Sequence, residues 1–63
     1  MELTEQDVIK IAGDLWAGTA PEVIRESEYA RGQVELIRDM FGGYEDYEEA
    51  FSEILEKIVD SVP

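Results

Sequence analysis

The 63-residue chain contains no cysteine and no histidine. Disulfide bonds and the usual zinc sites, which stabilise many very small domains, are therefore excluded. Histidine is the most frequent general base in enzymes and cysteine is a common nucleophile, so both absences argue against catalysis. We predict a chain without enzymatic activity, cofactor or bound metal, whose stability depends on helix packing or on association.

Basic residues are scarce, with five lysines and arginines against 16 aspartates and glutamates, for a net charge of −11. Binding to phosphates requires clustered basic side chains, so this charge excludes direct nucleic-acid binding and disfavours anionic membranes. It favours a basic protein surface as the partner. The hydrophobic content of 44% distinguishes the chain from a disordered acidic tail.

Long apolar runs are also missing from the sequence. No stretch approaches the roughly 18 apolar residues of a membrane-spanning helix. The first five residues have neither the positive charge nor the apolar segment of a signal peptide. We therefore expect a soluble, cytoplasmic protein that does not bind membranes.

Apolar residues recur at helical spacing in four segments, and no segment alternates with the period of a strand. This pattern predicts an all-α fold, a compact bundle of three to four short helices formed by a single domain over residues 1–63. Thr4, Thr19 and Ser27 are predicted N-caps, and Gly42 with Gly43 ends a helix. The predicted helices cover residues 5–17, 20–26, 28–41 and 44–61.

The boundary between the second and third predicted helices depends on one conflict of polarity. Val34 and Ile37 define the apolar face of the later segment, and extending that helix backwards places Glu22 and Glu26 in the same face. A break at Ser27 removes the conflict. A single kinked helix over both segments is the alternative.

The apolar stripes also predict which side chains form the core. Most of the six aromatic residues lie on these stripes, so we expect them in the core, with Tyr44 beside the Gly-Gly turn as the exception. The stripe predicted for the first helix consists of Val8, Ile11, Ala12, Leu15 and Trp16.

Six carboxylates fall within about 100° on the outer face of the last predicted helix. Only Lys57 offsets them, and each like-charge pair four residues apart costs about 0.2–0.5 kcal/mol. In the third helix, by contrast, Arg31 and Arg38 alternate with Glu35 and can pair with it. The row is therefore a predicted binding surface, although a solvated helix face with acids in its first turn is the simpler explanation. This acidic row is Glu45, Asp46, Glu49, Glu53, Glu56 and Asp60.

Carboxylates on successive helical turns lie about 5–6 Å apart, a spacing comparable to that of phosphates along a nucleic-acid strand. In size, in charge and in the carboxylates of residues 45–60, the chain resembles small acidic phage proteins of the DNA-mimic and anti-CRISPR type. Its segment 29–37 also resembles the Tyr-x-Arg-Gly helices of small phage proteins. The resemblance implies a monomer or weak homo-oligomer in a bacterial host, which inhibits a defence complex by occupying its DNA-binding groove.

A second hypothesis belongs to a different functional class. Tyr29, Leu36 and Met40 widen the apolar face of the third predicted helix beyond what a small core needs. Such a face would let a small phage structural or assembly protein oligomerise. Because of the acidic row, the inhibitor is the leading hypothesis and the assembly protein is the alternative.

Overall fold

The computed structural model describes residues 2–63, and this part of the chain contains four α-helices and no strand. The prediction of an all-α bundle is confirmed. The Cα atoms extend over 30 × 29 × 16 Å, so the bundle is flat. No helix within the described residues combines the length and apolar character needed to cross a membrane. The helices are α1 (Glu5–Leu15), α2 (Pro21–Glu26), α3 (Glu28–Met40) and α4 (Tyr47–Ser61).

α2 and α3 are each one residue shorter than predicted, and α1 and α4 differ more from their predicted ranges. α1 ends at Leu15, two residues before position 17, because a turn through Gly18, whose φ is 82°, intervenes. α4 begins at Tyr47, three residues after position 44, because Asp46 is its N-cap. The Asp46 carboxylate accepts a hydrogen bond of 2.8 Å from the backbone N–H of Glu48. Both differences arise from local capping at the helix ends.

Ser27 separates α2 from α3 and excludes the single kinked helix. Its backbone is extended, with φ −76° and ψ 131°, and its hydroxyl accepts hydrogen bonds from the backbone N–H groups of Tyr29 and Ala30. The predicted cap is therefore confirmed here. Thr19 is not the cap of α2, because the N-cap position is Ala20, which has no side-chain hydrogen bond.

The core of the bundle is aliphatic, and α4 lies at its centre because α1 and α3 both pack mainly against it. Burying one such side chain contributes about 1.5–3 kcal/mol. α1 and α3 contact each other much less than either contacts α4. The buried core residues are Ile9, Ala12, Ile24, Ala30, Val34, Ile37, Ala50, Ile54, Leu55 and Ile58.

The predicted aromatic core is wrong, because Tyr29 and Tyr47 are exposed and the other four aromatic residues are only partly buried at the edge of the core. For Trp16, Tyr44 and Tyr47, a hydrogen bond made by the polar atom of the ring favours a position at the surface. The Trp16 indole N–H, for example, donates a hydrogen bond to the side chain of Gln33 at the edge of the core. In the aliphatic core itself the indole N–H would have no such partner. Aromatic residues with polar groups commonly take such half-buried positions.

The face of α1 that packs into the bundle differs from the predicted stripe. Ile9 is buried, whereas Ile11 and Leu15 are 51% and 66% exposed. Gly13 is buried where α1 passes closest to Ser61 of α4, so the side of α1 through Ile9 and Gly13 turns inward. The prediction that Ile11 and Leu15 are core residues is therefore wrong.

Candidate functional site

The six residues of the acidic row are all exposed to solvent. Glu49, Glu53, Glu56 and Asp60 project from α4 on the side opposite its buried isoleucines. Glu45 and Asp46 precede the helix, and Asp46 caps it, so these two belong to the loop before α4 and not to its face.

The acidic row has more countercharge than the sequence predicted. Arg25 of α2 binds Glu56 with two parallel hydrogen bonds of 2.9 and 3.1 Å, and Lys57 lies 3.4 Å from Glu53. The prediction that Lys57 alone offsets the row is therefore wrong. The hydrogen bond from Arg25 holds the pKa of Glu56 below its usual value, since it stabilises the ionised carboxylate. Glu56 consequently stays charged to a lower pH than an isolated glutamate.

Three carboxylates of the row lie outside the ion pairs of the bundle. Within residues 2–63 no ion pair reaches Glu45, Glu49 or Asp60. Glu49 lies in the first turn of α4, where the helix dipole stabilises an anion, whereas Asp60 lies in the last turn, where the dipole disfavours one. The position of Asp60 therefore has no stabilising explanation within the helix.

The few basic residues connect α4 to the rest of the bundle. Arg31 lies 5.1 Å from the ring centroid of Phe51, and Arg38 lies 4.4 Å from that of Tyr47. Such cation–π contacts contribute about 0.5–1 kcal/mol at exposed sites. These side chains are thereby engaged inside the protein. The contacts to α4 are Arg25 with Glu56, Arg31 with Phe51, Arg38 with Tyr47, and Lys57 with Glu5.

The charge pairs predicted along α3 do not form. In the part of the chain that the structure describes, neither Arg31 nor Arg38 forms an ion pair with Glu35. Glu35 instead accepts a hydrogen bond of 3.0 Å from the Tyr47 hydroxyl, which raises the pKa of Tyr47. Arg38 binds Asp39 at 3.1 Å. The bond from Tyr47 of α4 therefore takes the place of the predicted pairs of Glu35, while Arg38 pairs with its neighbour in α3.

A polar cluster joins the loop before α4 to the first turn of α1. The Tyr44 hydroxyl donates a hydrogen bond of 2.7 Å to the Glu5 carboxylate, and Lys57 lies 3.6 Å from the same oxygen. This hydrogen bond, together with partial burial and the negative charge of Glu5, raises the pKa of Tyr44 to about 12. Tyr44 is therefore a structural anchor for residues 42–46.

The raised pKa of Tyr44 predicts a loss of stability at high pH. Because the folded pKa of about 12 lies above the ordinary value of 10.0, the contribution of this group is complete below pH 10 and disappears as the pH rises through 12. We expect Tyr44→Phe to lower the free energy of unfolding at neutral pH by about 1 kcal/mol. Across the alkaline window the variant should lose less stability than the parent protein, as measured by urea unfolding.

Other titrating groups are the same in the parent and in Tyr44→Phe, so their effects cancel in this comparison. Tyr47→Phe is the matched control, because the Tyr47 hydroxyl also donates to a glutamate but lies on the exposed surface. Equal alkaline slopes for the parent and Tyr44→Phe would contradict the role assigned to the bond with Glu5.

A second surface of different chemistry lies between α1 and α3. It is an apolar groove of about 180 Å³, and no α4 residue belongs to its lining. It forms because both helices pack on α4 more than on each other. The sequence carried a partial signal for it in the wide apolar face of α3. The side chains that line the apolar groove include Val8, Ile11 and Leu15 of α1 and Gln33, Leu36 and Ile37 of α3.

Neither a metal site nor similarity to a known protein assigns a function to these surfaces. Within residues 2–63 no group of three or more acidic side chains is arranged to hold a metal ion. The chain matches no protein-family model, and no curated protein or solved structure shows significant similarity to it. The two surfaces and their charges are therefore the basis for any functional proposal.

Proposed function

We propose that the protein is an acidic inhibitor that binds a basic protein surface through the acidic row. The observation that carries this proposal is the position of the carboxylates of Glu49 and Asp60, which are exposed and lie outside the ion pairs formed within residues 2–63. The arginines that contact α4 are engaged by partners within the bundle, and none of them forms an ion pair with Glu49 or Asp60 within residues 2–63.

The proposed target is the DNA-binding groove of a bacterial defence complex, as in anti-CRISPR proteins that mimic DNA. A groove that binds a nucleic-acid backbone contains lysine and arginine side chains placed to contact successive phosphates. The carboxylates of Glu49 and Asp60 stand at the two ends of a row on one rigid helix and can contact such side chains in the same way. Association would be rapid and would weaken steeply with added salt.

Charge reversal in the row tests this proposal. We expect Glu49→Lys with Asp60→Lys to reduce binding to the target at least about tenfold, because attraction becomes repulsion at both positions. The matched control is Glu2→Lys with Glu28→Lys, two positions outside α4. Both double variants change the net charge by four units, from −11 to −7. Helicity should be similar in both variants by circular dichroism.

The measurement uses immobilised protein to capture binding proteins from a bacterial host lysate, followed by elution with a DNA duplex. Proteins captured by the parent and by the control, but not by the row variant, should be released by the duplex and by salt. Capture that both double variants lose equally would show dependence on total charge. Capture that resists DNA would contradict DNA mimicry.

Removal of the positive charge at Arg25 should strengthen binding to the target. Arg25→Gln releases Glu56 from its pair and makes the net charge −12, one unit below −11. We expect tighter binding to the captured target and a steeper salt dependence, since a fourth carboxylate becomes available. Affinity should be compared by titration at two salt concentrations, with Arg31→Gln as the control of equal charge. Weaker binding by Arg25→Gln than by Arg31→Gln would contradict the role of Glu56.

The alternative function, oligomerisation of a phage assembly protein, has one supporting observation. Tyr29, Leu36 and Met40 are exposed on α3, as that hypothesis requires. Self-association would bring together two molecules of charge −11, and this repulsion opposes it. We therefore favour the inhibitor.

A further inference from the structure

The apolar groove exposes side chains that the bundle itself does not cover. Ile11 and Leu15 project from α1, and Leu36 projects from α3 with 58% of its surface exposed. The side chains are spaced by three to four residues along α1, so they form a continuous strip beside Leu36. Contiguous apolar surface of this kind typically marks an interaction site.

Carboxylates border the groove on its α1 side. On the helical wheel, Asp7 and Asp14 lie about 40° and 60° from Ile11. Lys10 lies further away, about 100° from Ile11, beyond the two aspartates. Within residues 2–63 no ion pair reaches either aspartate. This border is therefore negatively charged.

The α3 side of the groove has the same sign of charge. Asp39 lies three residues after Leu36 and shares its side of the helix. Arg31 and Arg38 lie about 140° and 160° from Leu36, on the side of α3 that faces α4. Arg38 reaches back to Asp39 at 3.1 Å, so this border carries less free charge than the α1 border.

We infer that the apolar groove binds an amphipathic helix of a partner protein that has aliphatic side chains on one face and lysines or arginines beside them. The floor of the groove takes the aliphatic anchors, and the acidic borders, which include Asp14 and Asp39, attract the basic residues at the edges. From Val8 to Leu15 the groove is about 10 Å long, which matches two turns of such a helix. This inference concerns a surface separate from the acidic row.

Other occupants fit the groove less well. A second copy of the chain would place acidic borders against acidic borders between molecules of charge −11. An anionic membrane is repelled for the same reason. A volume of about 180 Å³ is smaller than the roughly 300–1,000 Å³ of pockets that bind small ligands.

The test uses a synthetic helical peptide of about 14 residues, with leucines on one face and lysines beside them, and without tryptophan. Trp16 reports occupancy, because its indole donates to Gln33, which lines the groove. We expect a saturable change in Trp16 fluorescence at one peptide per protein. A peptide of the same composition with its leucines scattered around the helix should give little change.

Variants separate the apolar contact from general charge. Ile11→Ser and Leu36→Ser should each weaken peptide binding about tenfold or more. Both side chains are largely exposed, so helicity should be retained, and circular dichroism checks this. Val23→Ser is the matched control, because Val23 is 55% exposed on α2 outside the groove, and it should leave binding unchanged.

Two further variants test the charged border. Asp14→Asn with Asp39→Asn should weaken binding and reduce its salt dependence, whereas Glu49→Gln with Asp60→Asn, of equal charge change, should not. Equal losses in the two pairs, or equal binding of the scattered peptide, would overturn the inference. A second copy of the chain would occupy the groove if sedimentation showed that the parent protein is a dimer and that Ile11→Ser dissociates it. That result would also overturn the inference. The acidic-row variants should still bind the peptide even where they lose target capture, because the groove is a separate surface. The two proposals can therefore fail independently.

Discussion

Ile54→Ala is expected to leave the chain largely unfolded at physiological temperature. Ile54 is completely buried in α4, against which both α1 and α3 mainly pack. Truncating a buried isoleucine to alanine costs about 2–5 kcal/mol, because apolar contacts are lost and a cavity remains. A chain of 63 residues has a total stability of only about 3–9 kcal/mol. Urea unfolding followed by circular dichroism measures the loss.

Ile11→Ala is the matched control for this prediction, since it makes the same chemical change at an exposed position of α1. We expect its free energy of unfolding to stay within about 0.5 kcal/mol of the parent value. A similar loss in both variants would mean that Ile11 is buried in solution and would contradict the orientation of α1. It would also remove the basis for the apolar groove.

Gly13→Ala should destabilise the protein by about 1–3 kcal/mol, although alanine normally favours a helix. A Cβ atom at Gly13 would lie 2.7 Å from both the Cβ atom and the backbone oxygen of Ser61. The clash involves backbone of the last residue of α4, so relief requires α1 to move away or the end of α4 to unwind. Thermal unfolding should show a lower melting temperature for Gly13→Ala.

Gly32→Ala provides the matched control in the interior of α3. Apart from the adjacent backbone of α3 itself, no atom lies within 4 Å of a Cβ placed at Gly32. Alanine should therefore stabilise the helix by about 0.5–1 kcal/mol, because it restricts the unfolded chain more than glycine does. Opposite signs for the two glycines are the expected result. Stabilisation by Gly13→Ala would show that α1 and α4 do not pack closely at Ser61.

The candidate surfaces were predictable from the sequence to different extents. The helical period placed Glu49, Glu53 and Glu56 on the outer face of the last helix, and the structure has them exposed there. The same period could not identify the cation that neutralises Glu56, because Arg25 lies 31 positions earlier in the chain. The exposed apolar groove was missed, since an apolar stripe alone does not specify which neighbouring helix covers it.

Local interactions determined the features that the sequence predicted well. The capping box of Thr4 with Asp7, the cap at Ser27 and the apolar period each involve residues within about one helical turn, so the sequence by itself specifies four helices.

The tertiary structure alone decided how those helices are rotated and which charges are paired. Close approach at Gly13 turned Ile9 inward and left Ile11 outside, and packing of α2 on α4 brought Arg25 to Glu56. These outcomes depend on steric fit and distance between helices far apart in the chain, which neither composition nor period encodes.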